Sequence, residues 1–494
     1  MDVIARLQEL SAELTDLNHI MATLQWDQEV MLPENATLER AGQLATLSAI
    51  IHRLEVAPEL GELLAMAEGQ AGSSRSDADK ALVRVMRRNY EQSTRLPESF
   101  VTEFARLTGQ SLHAWVEARK YSDFSRFAPL LERIIAMSRQ KAEYLGYAAE
   151  PYDALLDLHE EGLTTSEVRA VFSGLKEPLS QMVRKAASLS QTPWIFAQDF
   201  ALADQTRFAL HLLGSIGFDF NRGRQDRSAH PFSTTMGHDD RRVTNRYNPR
   251  SIEFVFSALH EGGHALYELG IDQNLAHSCL DSGVSLGIHE SQSRLWENII
   301  GRSLAFWQYF YPDLLKAFPA HFKHMGVNDF VAGINTVRPS LIRVEADEVS
   351  YNLHVLIRFE LEQRLIAGTL TVDELPAAWN ALYSDYLGIE VDNDANGVLQ
   401  DIHWAHGSIG YFPTYTIGNL AAAQIWNSFT REHPDHAEII AGGRLAEIRD
   451  WLSQAIYRHG SVYPPAELLL KVTGEQLAPR YFIDYLHKKY EDLV

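Results

Sequence analysis

Between residues 3 and 24, apolar side chains recur every three or four positions (Ile4, Leu7, Leu10, Leu14, Leu17 and Ile20), the spacing of one face of an α-helix. Pro33 and the Glu-Asn that follows it mark a turn, so that helix is expected to break over residues 26–33. The same period returns over 37–54, 59–68, 76–89, 97–118 and 124–145, with the stripes of Leu, Ile and aromatic residues that helix packing requires. After a loop at 146–153, Thr165-Ser-Glu reads as a cap opening a helix that reaches 188, and a shorter helix follows over 201–216.

The pattern changes at Gly217. Residues 218–247 are rich in Gly, Asp, Arg, Ser and Thr, and 230–235 and 242–247 have β character with Gly237-His-Asp-Asp240 as the turn between them. The expectation is a mainly α protein with one small antiparallel β element. Asn248-Pro249 offers an N-cap and a first-turn proline for the next helix, which Gly270 ends. Helical spacing resumes over 285–312 and 341–367 and, beyond a Gly-rich segment at 397–415, from 419 to 494. No internal repeat or low-complexity linker divides the chain, so 1–494 reads as a single unit with 1–90 as a helical lid subregion.

Composition removes several classes of function. With 494 residues, 46% of them hydrophobic and 22% charged, the chain is able to bury a large core. A net charge of −21 leaves nothing to neutralise phosphates and argues against nucleic acid as a partner. The single cysteine, Cys279, excludes an intramolecular disulfide and a Cys-rich zinc site and suits a reducing compartment. The N-terminal stretch is acidic and helix-patterned, without a basic region followed by an apolar run. No stretch approaches the ~20 apolar residues of a membrane span. A cytoplasmic protein with no membrane partner is the expectation.

The sharpest chemical signal is His260-Glu-Gly-Gly-His264. Residues i and i+4 share a helix face, so both imidazoles reach one metal ion, and Glu261, about 100° round the helix, is placed to take a proton from water. Chance alone produces such a motif in about one chain of this size and composition in twenty, so context has to decide. Gly262 and Gly263 cost the helix ~1 kcal/mol each relative to Ala, which implies that a neighbouring element or a substrate approaches the backbone there. A catalytic zinc site keeps three protein ligands, the third often a carboxylate on a following helix. Glu290 is placed for that role, with His289 as the weaker alternative. The 397–415 segment concentrates His403, Trp404, His406, Tyr411 and Tyr415, the kinds of donor that stabilise an oxyanion or bind substrate. Arg343, then Arg242, are the candidates for a guanidinium that grips a substrate carboxylate.

Taken together, these segments resemble the M32 family of metallocarboxypeptidases. Asp240-Arg-Arg-Val-Thr244 is similar to the family's D-x-R-x-T, and His260 to His264 to its H-E-x-x-H. His289-Glu-Ser-Gln292, Ile342-Arg-Val-Glu-Ala346 and Gly397-Val-Leu-Gln-Asp-Ile-His-Trp404 resemble its three later motifs in order, and Trp26-Asp27 with Pro33 resembles its N-terminal hairpin. The resemblance spans nearly the whole chain. It implies a large helical, zincin-like, neurolysin-like fold with a deep groove, a homodimer, and one Zn2+ per subunit, with Co2+ as an activating substitute. It makes His260, His264 and Glu290 the metal ligands and Glu261 the general base, with His406 and Tyr415 as oxyanion donors; Tyr411 and His403, from the same clustered segment, are the candidates for substrate contact. The implied activity is removal of C-terminal residues from peptides with broad specificity, sparing proline. The alternatives are an endo-acting oligopeptidase of the same fold and, in another class, a helical binding protein with a relic metal site.

Overall fold

The apolar spacing becomes helix nearly throughout the computed structural model, which describes residues 2–70, 75–188 and 199–491. The chain divides into two compact units, one of Met1–Thr94, Trp194–Ile334 and Ile425–Gly474 and the other of Arg95–Pro193, Asn335–Gln424 and Glu475–Val494. No helix among the described residues is long and apolar enough to cross a membrane.

In the first unit, the helices Val3–Val30 and Thr37–Glu55 pack as a hairpin. Arg40 clamps it, donating to the Asp27 carboxylate at 2.7 Å and to the Leu24 carbonyl. The first helix runs past its expected end because Pro33 restricts only the residue before it and leaves the turns further upstream intact. Trp26 is therefore helical and buried, with the Arg242 guanidinium 4.5 Å from its ring centroid. Leu7, Leu63, Leu64, Leu82 and Met86 share a core cluster with Ile271, Leu275 and Leu280 from the middle of the chain.

The β element is larger than the expected hairpin. Strands β1 (Gly223–Arg227), β2 (Ser233–Gly237) and β3 (Asp240–Asn245) form one sheet in the order β1-β3-β2. β2 and β3 are the antiparallel hairpin, whereas β1 pairs parallel to β3 with Gly223 opposite Arg241. β1 reads Gly-Arg-Gln-Asp-Arg and has no apolar alternation to announce it.

Two helix boundaries also differ from expectation. Asn248 does not cap the following helix: its Oδ1 accepts from the Arg250 N–H in a turn, and the helix runs Glu253–Leu269, capped at its far end by Gly270 as the sequence implies. The 285–312 helix is three pieces. An α-helix Leu286–Arg294, capped by Ser285, widens into a π-helix at Leu295–Ile300, and a new helix, Leu304–Ala317, starts where Ser303 accepts from the Phe306 N–H. Pro312 lies inside that last helix.

In the second unit, the expected 341–367 helix is a short 3-10 turn, Arg343–Glu345, followed by the helix Ser350–Ala367. Asp347 separates the two by accepting from the N–H groups of Val349, Ser350 and Arg338. The 165–188 helix is likewise broken near Gly174 into Thr165–Ser173 and Lys176–Ser188. A short helix, Pro151–Asp157, begins inside the expected loop. Asp153 accepts from the Glu150 N–H there and from both the N–H and hydroxyl of Thr165, which stitches the two short helices together.

Candidate metal centre

The helix Glu253–Leu269 is buried along nearly its whole length, including Glu261, Gly262 and Gly263. The two glycines have a structural reason. A Cβ built on Gly263 would lie 2.5 Å from the Gln292 carbonyl oxygen and 2.8 Å from Ser293 Cα, so the helix Leu286–Arg294 packs backbone to backbone against it. A Cβ on Gly262 would meet Leu213 and Ile216, each at 2.8 Å. Neighbouring helices occupy the space over both residues.

That close approach sets Glu290 opposite the two histidines. Among the described residues, ligand atoms of His260, His264 and Glu290 lie within 4.8 Å of one another, with Glu290 Oε2 at 3.6 Å from His260 Nε2 and 3.4 Å from His264 Nε2. Ligand atoms bound roughly 2.0–2.1 Å from a tetrahedral ion stand about 3.3 Å apart, so this spacing fits a divalent cation. The other ring nitrogens face away. His260 Nδ1 donates to Glu297 Oε2 at 2.8 Å, and His264 Nδ1 lies 2.6 Å from His289 Nδ1. Arg294 donates to Glu290 Oε1 at 2.7 Å and to Glu297 at 3.3 Å. A histidine with its Nδ1 engaged and Nε2 aimed inward is the usual arrangement of a metal-binding imidazole.

The electrostatics favour a cation. Burial alone would raise the Glu290 carboxyl, but Arg294 and the two histidines outweigh it and hold it well below the usual carboxylate range. For His260, burial opposes protonation, yet the carboxylates of Glu290, Glu297 and Glu261 push it up to about 9. Burial lowers His264 to about 4, despite the nearby Glu290 carboxylate. A metal held at His260 Nε2 would stand where a proton otherwise could. Burial also raises Glu261 to about 7, helped by Glu290 and Glu297 and opposed by His260. Its carboxylate has no hydrogen bond to another described side chain, which leaves it available to water.

His289 has both nitrogens committed elsewhere, Nδ1 on His264 and Nε2 on Glu268 at 3.0 Å. Arg242 is held bidentately by Asp240 on its own strand, both contacts at 2.8 Å. Its neighbour Arg241 is the buried one, paired with Asp281 at 2.8 Å and with Glu268 at 3.4 Å. Sequence reasoning passed over Arg241, Glu268 and Glu297. Glu268 lies one turn beyond His264, and Glu297 two turns beyond Glu290, and those spacings were the only signal available.

The second unit gathers most of the remaining candidates. Arg343 is buried; its Nε and Nη2 donate to Asp401 Oδ1 at 3.1 and 2.8 Å, and its Nη1 donates to the Tyr351 hydroxyl at 2.8 Å. The fully buried Arg358 takes the other oxygen of Asp401 at 2.7 Å, with its guanidinium 4.5 Å from the Trp379 ring centroid. His403 Nε2 lies 3.1 Å from the Tyr415 hydroxyl, and Tyr411 packs edge-on against Tyr415. Burial keeps His403 neutral, down to about 3. His406 is an exposed residue of the turn before Gly407. The phenol of Tyr415 is thus partnered by His403.

Asp401 carries a pH dependence. Burial alone would raise its pKa, but Arg343 and Arg358 outweigh that and hold it well below its usual value. A carboxyl depressed in the folded state stabilises fully above its unfolded pKa of about 3.9 and loses that contribution as pH falls toward the folded value. Urea unfolding should therefore show stability dropping below about pH 4. Asp401→Asn should cost about 3–5 kcal/mol at pH 7, because two buried guanidiniums lose their anion, and should flatten the acid dependence.

The profile of the carboxypeptidase Taq (M32) metallopeptidase family matches residues 6–490. The chain is 41% identical over 479 residues to thermostable carboxypeptidase 1 of Pyrococcus furiosus, covering 96% of this chain and 95% of that one. It is 37% identical over 488 residues to carboxypeptidase 1 of Bacillus subtilis, covering 98% and 97%. The solved structure of Pyrococcus furiosus carboxypeptidase superposes with a TM-score of 0.96 at 40% identity over 99% of each chain.

Proposed function

The chain belongs to the M32 family of metallopeptidases and is a metal-dependent carboxypeptidase, and from that premise we propose how its residues divide the work. His260, His264 and Glu290 hold one divalent ion, zinc by the character of the two-imidazole, one-carboxylate donor set. The observation that carries this reading is the convergence of the three donor atoms while both Nδ1 atoms are occupied from behind. A metal held there supplies Lewis acidity toward the scissile carbonyl and lowers the pKa of water. Glu261 takes the proton of the attacking water and delivers it to the leaving amine, so the proton ends on the amino group of the released C-terminal residue. Tyr415 and His406 donate to the oxyanion, and Tyr411 and His403 line the substrate's path. Arg343, oriented by Asp401, takes the substrate's terminal carboxylate, with Arg242 as second choice. For these six residues the support is the family pattern together with the chemistry of each side chain.

The substrates are peptides, trimmed from the C-terminus with broad specificity. Mass spectrometry of a digest tests this: a peptide with a free C-terminus should shorten from that end, its C-terminal amide should stay intact, and a chelator should stop the reaction. Internal cleavage of the amide would overturn the exopeptidase reading in favour of an endo-acting oligopeptidase. A cytoplasmic homodimer is part of the same proposal, and light scattering of the purified protein checks the dimer.

A further inference from the structure

His289 adjoins Glu290 on the helix Leu286–Arg294 yet aims neither ring nitrogen at the three converging donors. Its Nδ1 lies 2.6 Å from His264 Nδ1, and its Nε2 lies 3.0 Å from Glu268 Oε1. Two imidazole nitrogens at that distance share one proton, so one ring donates and the other accepts.

The surroundings of Glu268 decide which. Its carboxylate accepts from the Gly283 N–H at 2.8 Å and the Thr235 hydroxyl at 3.1 Å, and Arg241 Nη1 stands 3.4 Å away. A carboxylate ringed by donors is an acceptor, so His289 presents Nε2–H to it. With its ring proton on Nε2, His289 offers a lone pair at Nδ1. His264 must donate from its own Nδ1, which leaves its Nε2 lone pair facing Glu290 Oε2.

We propose that His289 is a positioning residue that fixes His264 in the Nε2-ligating tautomer through a His–His hydrogen bond whose direction is set by Glu268. This rests on the ligand assignment above. The two histidines of the motif are thereby oriented differently. His260 meets its carboxylate, Glu297, directly. His264 reaches Glu268 only through an intervening imidazole, and Glu268 is in turn anchored by Thr235 on β2 and Arg241 on β3. The small sheet therefore braces one metal ligand from behind.

A role in packing alone and a role in hydrogen bonding make opposite demands on position 289. Phenylalanine keeps a ring but can neither accept nor donate, whereas glutamine lacks the ring but can accept from His264 through Oε1 and donate to Glu268 through Nε2. The apo-protein, its His289→Phe and His289→Gln variants, and a Glu290→Gln control are titrated with zinc against a chromophoric chelator, with circular dichroism to confirm folding. His289→Phe should bind zinc about 10- to 100-fold more weakly, and His289→Gln should stay within about threefold of wild type. A phenylalanine variant as tight as wild type, or a glutamine variant as weak as the phenylalanine one, overturns the relay. If the phenylalanine variant does not fold, the glutamine variant decides alone, and a loss of about tenfold or more overturns the proposal. Wild type binding one zinc, with Glu290→Gln losing it, upholds the ligand assignment separately; wild type binding none overturns both.

Discussion

Glu261→Gln should retain the metal at wild-type affinity and lose about 10³- to 10⁴-fold in kcat, the upper part of the range for removal of a positioned general base. The residue sits between the two histidines in sequence but roughly 100° round the helix from His260, so it does not share their donor set. Glutamine is nearly isosteric, so the packing of Glu253–Leu269 against its neighbours is kept. What is lost is the ability to take a proton. A divalent cation beside Glu261 favours its ionised form, offsetting the burial that otherwise raises it. Metal content of the purified variant and single-turnover rates on an unblocked peptide check both halves. Turnover within tenfold of wild type would sink the role, and loss of the metal would make Glu261 a ligand instead of a base.

The chemistry of this site was more legible in the sequence than its scaffolding. An i, i+4 histidine pair announces itself because the helical period is local, and Glu290 could be named because it lies in a recognisable motif. Glu297, His289 and Glu268 became partners of the histidines through tertiary packing, at which the helical spacing of Glu268 and Glu297 only hints. Helix ends followed the same division. Gly270 was a readable cap, while Ser303 and Asp347 interrupt runs whose apolar spacing continues across them. β1 was missed because all five of its residues are polar or glycine, and pairing with β3 makes it a strand. Arg343 was visible as a cation without an apolar reason to be there. Its sharing of Asp401 with the buried Arg358 required side chains that lie 43 and 58 positions apart from the aspartate.

Gly263→Ala is expected to damage both fold and metal binding, although alanine is the better helix former by about 1 kcal/mol. The new methyl would stand 2.5 Å from the Gln292 carbonyl oxygen and 2.8 Å from Ser293 Cα, and backbone cannot swing aside as the tip of a side chain can. The helices Glu253–Leu269 and Leu286–Arg294 must separate, and Glu290, one turn from the contact, moves off His260 and His264. Overpacking of this kind costs about 1–3 kcal/mol, and with rigid backbone on one side the upper end is expected even after the propensity gain. Zinc affinity should fall by more than about tenfold, the scale on which displaced ligand geometry is felt. Gly262→Ala is the internal comparison: its methyl meets the side-chain ends of Ile216 and Leu213, which can shift rotamer, so stability should stay within about 1 kcal/mol and zinc affinity should hold. Urea denaturation and zinc titration of the two variants side by side measure the contrast. If Gly263→Ala proved as stable and as zinc-avid as Gly262→Ala, the close helix contact would not be what sets Glu290 in place.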